Sequence, residues 1–103
     1  MAIPRGTNSY CTITMPVDTQ YIDEFWVTFG QNDEEVVTKT KSQCTCDGKT
    51  VTVGLTQEDT LLFKTGSLLQ VQVRYLTNAG VAKATKIKTG KVGQILKEGV
   101  IGG

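Results

Sequence analysis

Leu69-Gln70-Val71-Gln72-Val73-Arg74-Tyr75 decides the fold. Leucine, the two valines and tyrosine recur at every second position, with two glutamines and an arginine between them. A period of two sends the apolar members to one face of a sheet and the polar members to the other. Phe25-Trp26-Val27-Thr28-Phe29 repeats the pattern, as does Thr50-Val51-Thr52-Val53-Gly54-Leu55. Three such segments, with no long helical periodicity, predict an all-β domain: a small antiparallel β-sandwich of about seven strands with one short helical turn.

Working outward, Ser9–Met15 reads as a first strand, closed by Pro16, whose missing N–H cannot join a ladder. Asp18–Asp23 reads as a loop or single helical turn, Glu24–Gly30 as a strand, Gln31-Asn32-Asp33 as a turn, and Glu35–Lys41 and Gln43–Cys46 as further strands. Asp47-Gly48 is the best local hairpin signal, because this pair supplies the positive φ angles of tight primed turns. Lys49–Leu55 returns antiparallel. Thr56 followed by Glu58 and Asp59 marks a helix start, with a hydroxyl cap and acids in the first turn; Leu61, Leu62 and Phe63 are expected to close over the end of the sandwich. Gly66 ends this turn, Ser67–Leu76 forms the longest strand, and Val81–Lys88 pairs back on it as a lysine-rich edge. Gly90 and Gly93 punctuate the tail.

The whole chain of 103 residues is expected to be one domain, 1-103, with an extended N-terminal arm (1-8) and an apolar C-terminal segment (94-103). The segment carries Ile95, Leu96, Val100 and Ile101, which either pack back on the sandwich or dock on a neighbour.

The composition excludes several function classes. Net charge is +1, so the overall balance gives no electrostatic case for nucleic acid or an anionic membrane. No apolar run approaches the ~18 residues of a membrane span. Met1–Tyr10 lacks the charged lead and apolar run of a secretory signal, which predicts synthesis in the cytoplasm. Charge is nevertheless uneven: Lys83, Lys86, Lys88, Lys91 and Lys97 crowd the last quarter, and Asp33-Glu34-Glu35 is acidic. These are either solvated edge and loop residues or unlike patches that meet head to tail.

There is no histidine, which removes the side chain most used for acid–base chemistry near neutral pH. Ser9, Ser42 and Ser67 sit in no nucleophile motif. Carboxylates adjacent in a strand point to opposite faces and do not converge on a substrate. Asn32, Asp33 and Glu35 supply only part of a calcium loop. Cys44-x-Cys46 with Cys11 makes a poor zinc site and a strained disulfide, so buried or half-buried free thiols are expected. The chain is therefore read as a non-enzyme with no cofactor and no metal. Tyr10, Tyr21, Trp26 and Tyr75 are candidate ligand aromatics for a glycan platform, although a lone tryptophan in an apolar strand is more often core or half-core.

Several segments carry a resemblance that spans nearly the full length: Met1-Ala2-Ile3-Pro4-Arg5-Gly6-Thr7, Trp26-Val27-Thr28-Phe29, Leu55-Thr56-Gln57-Glu58-Asp59-Thr60, Val71-Gln72-Val73-Arg74 and Gly93-Gln94-Ile95-Leu96-Lys97-Glu98-Gly99-Val100-Ile101. The chain resembles small proteins encoded in prophages and related mobile elements of Firmicutes. It is also similar to the N-terminal immunoglobulin-like module of phage baseplate upper proteins. The resemblance implies a structural virion protein, a tail or baseplate component that assembles with itself, with other phage structural proteins, or with both, and enters a phage particle. In that module a sandwich anchors the protein and other domains bind receptors. Here no coiled coil or distal domain follows, which favours anchoring or decoration. None of the matching positions is a catalytic signature.

On the assembly reading, Ile3 and Arg5 of the arm, Gln70, Gln72 and Arg74 of the long strand, and Ile95, Leu96, Val100 and Ile101 of the tail are the candidate contacts, with arm and tail adding strands or apolar anchors to neighbours. The alternative is a glycan- or ligand-binding β-sandwich module.

Overall fold

In a computed structural model, which describes residues 1–102, the chain folds into two packed sheets; Gly103, the end of the predicted apolar segment, lies outside the described residues. Nine strands are present among the described residues: β1 (Ala2–Pro4), β2 (Ser9–Thr14), β3 (Ile22–Gln31), β4 (Glu34–Thr40), β5 (Cys44–Asp47), β6 (Thr50–Leu55), β7 (Leu69–Thr77), β8 (Ala82–Ala84) and β9 (Lys88–Gly93). The larger sheet runs β1-β9-β7-β3-β4, with β8 also on β7, and the smaller runs β2-β6-β5. All pairings are antiparallel except β1 on β9. Strands β2, β6 and β5 stand where an immunoglobulin sandwich has B, E and D. Strands β8/β9, β7, β3 and β4 stand for G, F, C and C′. The expected all-β, immunoglobulin-like sandwich is the fold.

The alternating segments build the core. Phe25, Val27 and Phe29 of β3 pair with Tyr75, Val73 and Val71 of β7 on the inner face of the large sheet. Val51, Val53 and Leu55 of β6 and Cys11 of β2 oppose them from the small sheet. The helix α1 (Gln57–Leu61) begins at Thr56 with a reciprocal capping box: Thr56 Oγ1 accepts from Asp59 N–H, and Asp59 accepts from Thr56 N–H. Of the three apolar residues expected to close the end, only Phe63 is fully buried, its ring 6.1 Å from that of Phe29; Leu62 points to solvent. Gln31, also buried, donates to Lys64 O and Ser67 O and accepts from Lys64 N–H, which ties this loop to the end of β3.

Four expectations are corrected. The N-terminal arm is not free: Ala2–Pro4 adds a parallel strand to the chain's own large sheet, and Ile3 is buried in its core. The last strand is longer than expected and broken: β8 and β9 share one edge of β7, and Gly90 and Gly93 lie inside β9. At the break Thr85 substitutes for ladder bonds, its hydroxyl accepting from Val73 N–H at 3.0 Å and its N–H donating to Val73 O. The β5–β6 turn is Gly48-Lys49, with φ of +57° at Gly48 only, the pattern of a type II′ turn; Asn32 and Asp33, both at positive φ, make the type I′ turn between β3 and β4. Finally, Gln43 belongs to a short 3-10 turn, Lys41–Gln43, and the following strand begins at Cys44.

Candidate interaction surface

The outer face of the large sheet carries the one surface on which several predicted residues meet. The same alternation that buries Phe25 and Val27 turns Trp26 and Thr28 outward. On β7 it turns Gln70, Gln72, Arg74 and Leu76 outward. Register then sets the neighbours: Trp26 lies between Thr40 and Arg74, with Ala84 beyond, and Thr28 lies between Thr38 and Gln72. Trp26 is therefore neither core nor half-core; it is 46% exposed. The guanidinium of Arg74 sits 5.6 Å from the centre of its ring, a cation–π contact that fixes the indole on the sheet. Glu24, Trp26, Arg74, Leu76, Ala82 and Lys83 line a shallow depression of about 210 Å³.

The polar neighbours divide by what they already hold. Gln70 clamps the β3–β4 turn, donating to Asp33 Oδ1 at 2.9 Å and accepting from Asp33 N–H at 2.8 Å. Gln72 donates to Thr85 O at the break between β8 and β9. Both glutamines lie on the predicted face with their amides committed to the fold, and Arg74 is the member of the trio that engages Trp26.

The other candidate contacts lie elsewhere. Arg5 faces inward along the base of the sandwich, its Nε donating to Phe63 O at 2.7 Å and an Nη to Leu61 O at 2.9 Å, with an ion pair to Glu98. The apolar tail folds back without burying most of its side chains. Ile95 lies with Leu61 over Gly6, and Gln57 both accepts from Ile101 N–H and donates to Ile101 O. Leu96 and Ile101 nevertheless remain 99% and 83% exposed, and Val100 is partly exposed. The segment thus packs back on the chain's own sandwich through Ile95 and the Ile101 backbone while these apolar side chains stay exposed.

The four candidate ligand aromatics do not converge. Tyr75 is buried on the inner face of the large sheet, Tyr10 projects from the outer face of the small sheet, and Tyr21 sits in the turn before β3. Trp26 and Tyr75 both line the depression, but of the two only Trp26 exposes its ring, Tyr75 being buried. Sequence reasoning also missed the anchoring hydroxyl of Thr60. Fully buried, it donates to Thr7 O and accepts from Thr7 N–H, fastening the chain after β1 to α1.

The cysteines are all free: Cys11 buried, Cys44 half-buried and Cys46 exposed, so the expected burial fails for Cys46. Burial raises the Cys11 thiol, while burial and the neighbouring Cys46 push Cys44 up to about 11 against the opposing charge of Lys39. Such thiols are protonated and weakly nucleophilic at neutral pH. Among the described residues no three His, Cys, Asp or Glu side chains converge to hold a metal, and no helix is long and apolar enough to cross a membrane. No family model and no curated protein matches the chain.

Proposed function

We propose that this chain is an assembly module that works by protein–protein contact, in the structural role in a phage tail or baseplate that the resemblance implies. The observation that carries the reading is the outer face of the large sheet, where a tryptophan–arginine pair lies among apolar and polar residues on a rigid strand framework. Tryptophan and arginine are the residues most often found at the energetic centre of protein interfaces. Leu76, Ala82 and Ala84 extend the apolar area, and Gln70, Thr38 and Glu24 give it a polar rim. A depression of about 210 Å³ is smaller than the roughly 300–1,000 Å³ of small-molecule pockets. A glycan platform would need more than one stacking ring on this face, and Trp26 stands there alone. No catalytic step belongs to this reading.

The test is to band particles released by the producing bacterium in a density gradient and quantify the chain by mass spectrometry. The virion role predicts that the chain bands with the particles in fixed proportion to other structural proteins. A Trp26→Ala, Arg74→Ala variant should fold and be lost from them. Particles that lack the wild-type chain refute the virion role, and a variant that incorporates at the wild-type level moves the interface away from this face.

A further inference from the structure

The small sheet ends at β2 with no strand paired to its outer edge among the described residues, in the place where strand A flanks B in an immunoglobulin sandwich. Its backbone orientation follows from one bond: Met15 N–H donates to Lys49 O. In an antiparallel ladder the hydrogen-bonded residues alternate, so Ser9, Cys11 and Ile13 direct their backbone groups at β6. Tyr10, Thr12 and Thr14 direct three N–H and three C=O groups outward. This edge, Ser9-Tyr10-Cys11-Thr12-Ile13-Thr14, contains no charge, proline or glycine, the devices that usually stop a strand from being extended by another chain. Beside it runs a groove of about 210 Å³ whose floor includes Cys11, Ile13, Val71 and Val73 and whose rim carries Lys86 and Lys88. The ion pairs among the described residues are Arg5–Glu98 and Lys39–Asp59, so neither rim lysine is neutralised within the chain.

We infer that this edge receives the β4 edge of a second copy, in a head-to-tail contact that extends the small sheet of one molecule with a strand of the next. The remaining edges are short: β1 and β8 have three residues each and β5 has four, whereas β4 has seven. β4 also carries the complementary charge. Asp33, Glu34 and Glu35 stand at its start, and its one basic residue, Lys39, is already paired with Asp59 at 2.9 Å. Self-pairing of two β2 edges is disfavoured, because a two-fold axis there would bring the lysine rims of both copies together. Unlike edges generate a ring or a filament. The contact does not involve the Trp26 face and stands or falls separately from the particle role.

The test is light scattering behind size exclusion across about 10 µM to 1 mM protein, a range that captures weak assembly. The wild type should rise above the 11.2 kDa monomer with concentration. Lys86→Glu with Lys88→Glu, and separately Glu34→Lys with Glu35→Lys, should each weaken association by roughly tenfold or more, and an equimolar mixture of the two proteins should restore it. Thr12→Pro, which removes an outward N–H and no bond to β6, should also give a monomer; thermal unfolding of each variant checks the fold. A wild type that stays monomeric throughout, or association unaffected by the Glu34/Glu35 reversal in a folded protein, overturns the inference.

Discussion

Replacing Arg5 with alanine distinguishes a fold-holding arginine from a surface contact. The guanidinium donates to two main-chain carbonyls at the end of α1, Phe63 O at 2.7 Å and Leu61 O at 2.9 Å, and its side chain is only 18% exposed. Hydrogen bonds from a charged donor contribute about 1.5–3 kcal/mol each when their partner would otherwise be stranded. Water can reach carbonyls at the base of the sandwich once the side chain is gone, so the lower end applies and the pair together is worth ~2–3 kcal/mol. The third partner adds little. Glu98 is 63% exposed, and an ion pair of that kind contributes at most ~1 kcal/mol.

The expected ordering is therefore Arg5→Ala far below wild type, Arg5→Lys intermediate, and Glu98→Ala close to wild type. Lysine keeps the charge but has no planar fork to serve two carbonyls at once. Urea titration followed by circular dichroism measures it. With a slope of about 1–2 kcal/mol per molar for a domain of this size, the Arg5→Ala midpoint falls by roughly 1–3 M. An Arg5→Ala protein within about 0.5 kcal/mol of wild type, the range of ordinary surface substitutions, refutes the reasoning. So does a Glu98→Ala protein as unstable as Arg5→Ala, because the ion pair would then be the source of the energy.

Three other perturbations test separate parts of the structure. A methyl group added at Gly30, opposite Glu35 beside the register shift in β4, would stand 2.5 Å from Glu34 O, so Gly30→Ala should cost ~2 kcal/mol or more in urea denaturation; an unchanged midpoint would mean the backbone there yields freely. At Asp59 burial by itself raises the carboxyl, but the Lys39 ammonium and the Thr56 N–H and hydroxyl outweigh it and hold the group below its ordinary value. A carboxyl lowered by folding contributes stability above its unfolded value, about pH 4, and loses it as pH falls through the lowered folded value. Asp59→Asn should therefore cost stability at pH 7 and flatten the decline below pH 4, and parallel acid limbs for both proteins would contradict this. With Cys44 pushed up to about 11, roughly one thiol in 10³ is ionised at pH 8, so iodoacetamide should modify exposed Cys46 well before Cys44 and reach Cys11 only on unfolding; equal rates at Cys44 and Cys46 would sink that assignment.

The strands that were legible in the sequence are those with a two-residue period and a continuous hydrophobic face. Phe25 to Phe29, Val51 to Leu55 and Leu69 to Tyr75 state their own faces because each is buried on one side only. Parity even placed Trp26 outside, and the preference of lone tryptophans for cores pointed the wrong way; the sheet obeys parity, since Phe25 and Val27 already fill the inward positions. β1 and β9 were hidden for a different reason. Their parallel pairing covers three residues each, too few for a period, and β9 contains two glycines that resemble loop punctuation. Those glycines are needed by the pairing itself: a Cβ on Gly90 would stand 2.6 Å from Met1 O, and one on Gly93 3.2 Å from Pro4 Cα. Nor does composition reveal which polar groups are already spent. Gln70, Gln72 and Arg5 look like available surface donors in a linear chain, and only the folded arrangement brings Asp33, Thr85 and the carbonyls after α1 within reach.

The uneven charge that is ambiguous in the sequence acquires a direction from the edges. An uncharged six-residue edge strand would ordinarily pair with its own copy, and the lysines bordering the β2 groove oppose that outcome while favouring an acidic strand. Their influence depends on range. At 0.1 M salt the screening length is about 10 Å, enough for a rim lysine to act on an incoming strand, and at 1 M it shrinks to about 3 Å. Backbone pairing through Tyr10, Thr12 and Thr14 carries no such dependence. Head-to-tail assembly should therefore weaken as salt rises from 0.1 to 1 M, and so should assembly of the Lys86→Glu, Lys88→Glu protein mixed with its Glu34→Lys, Glu35→Lys counterpart, which keeps opposite charges across the contact. Pairing of β2 with β2 should instead strengthen, since salt relieves the repulsion between lysine rims. The sign of the salt dependence alone separates the two geometries.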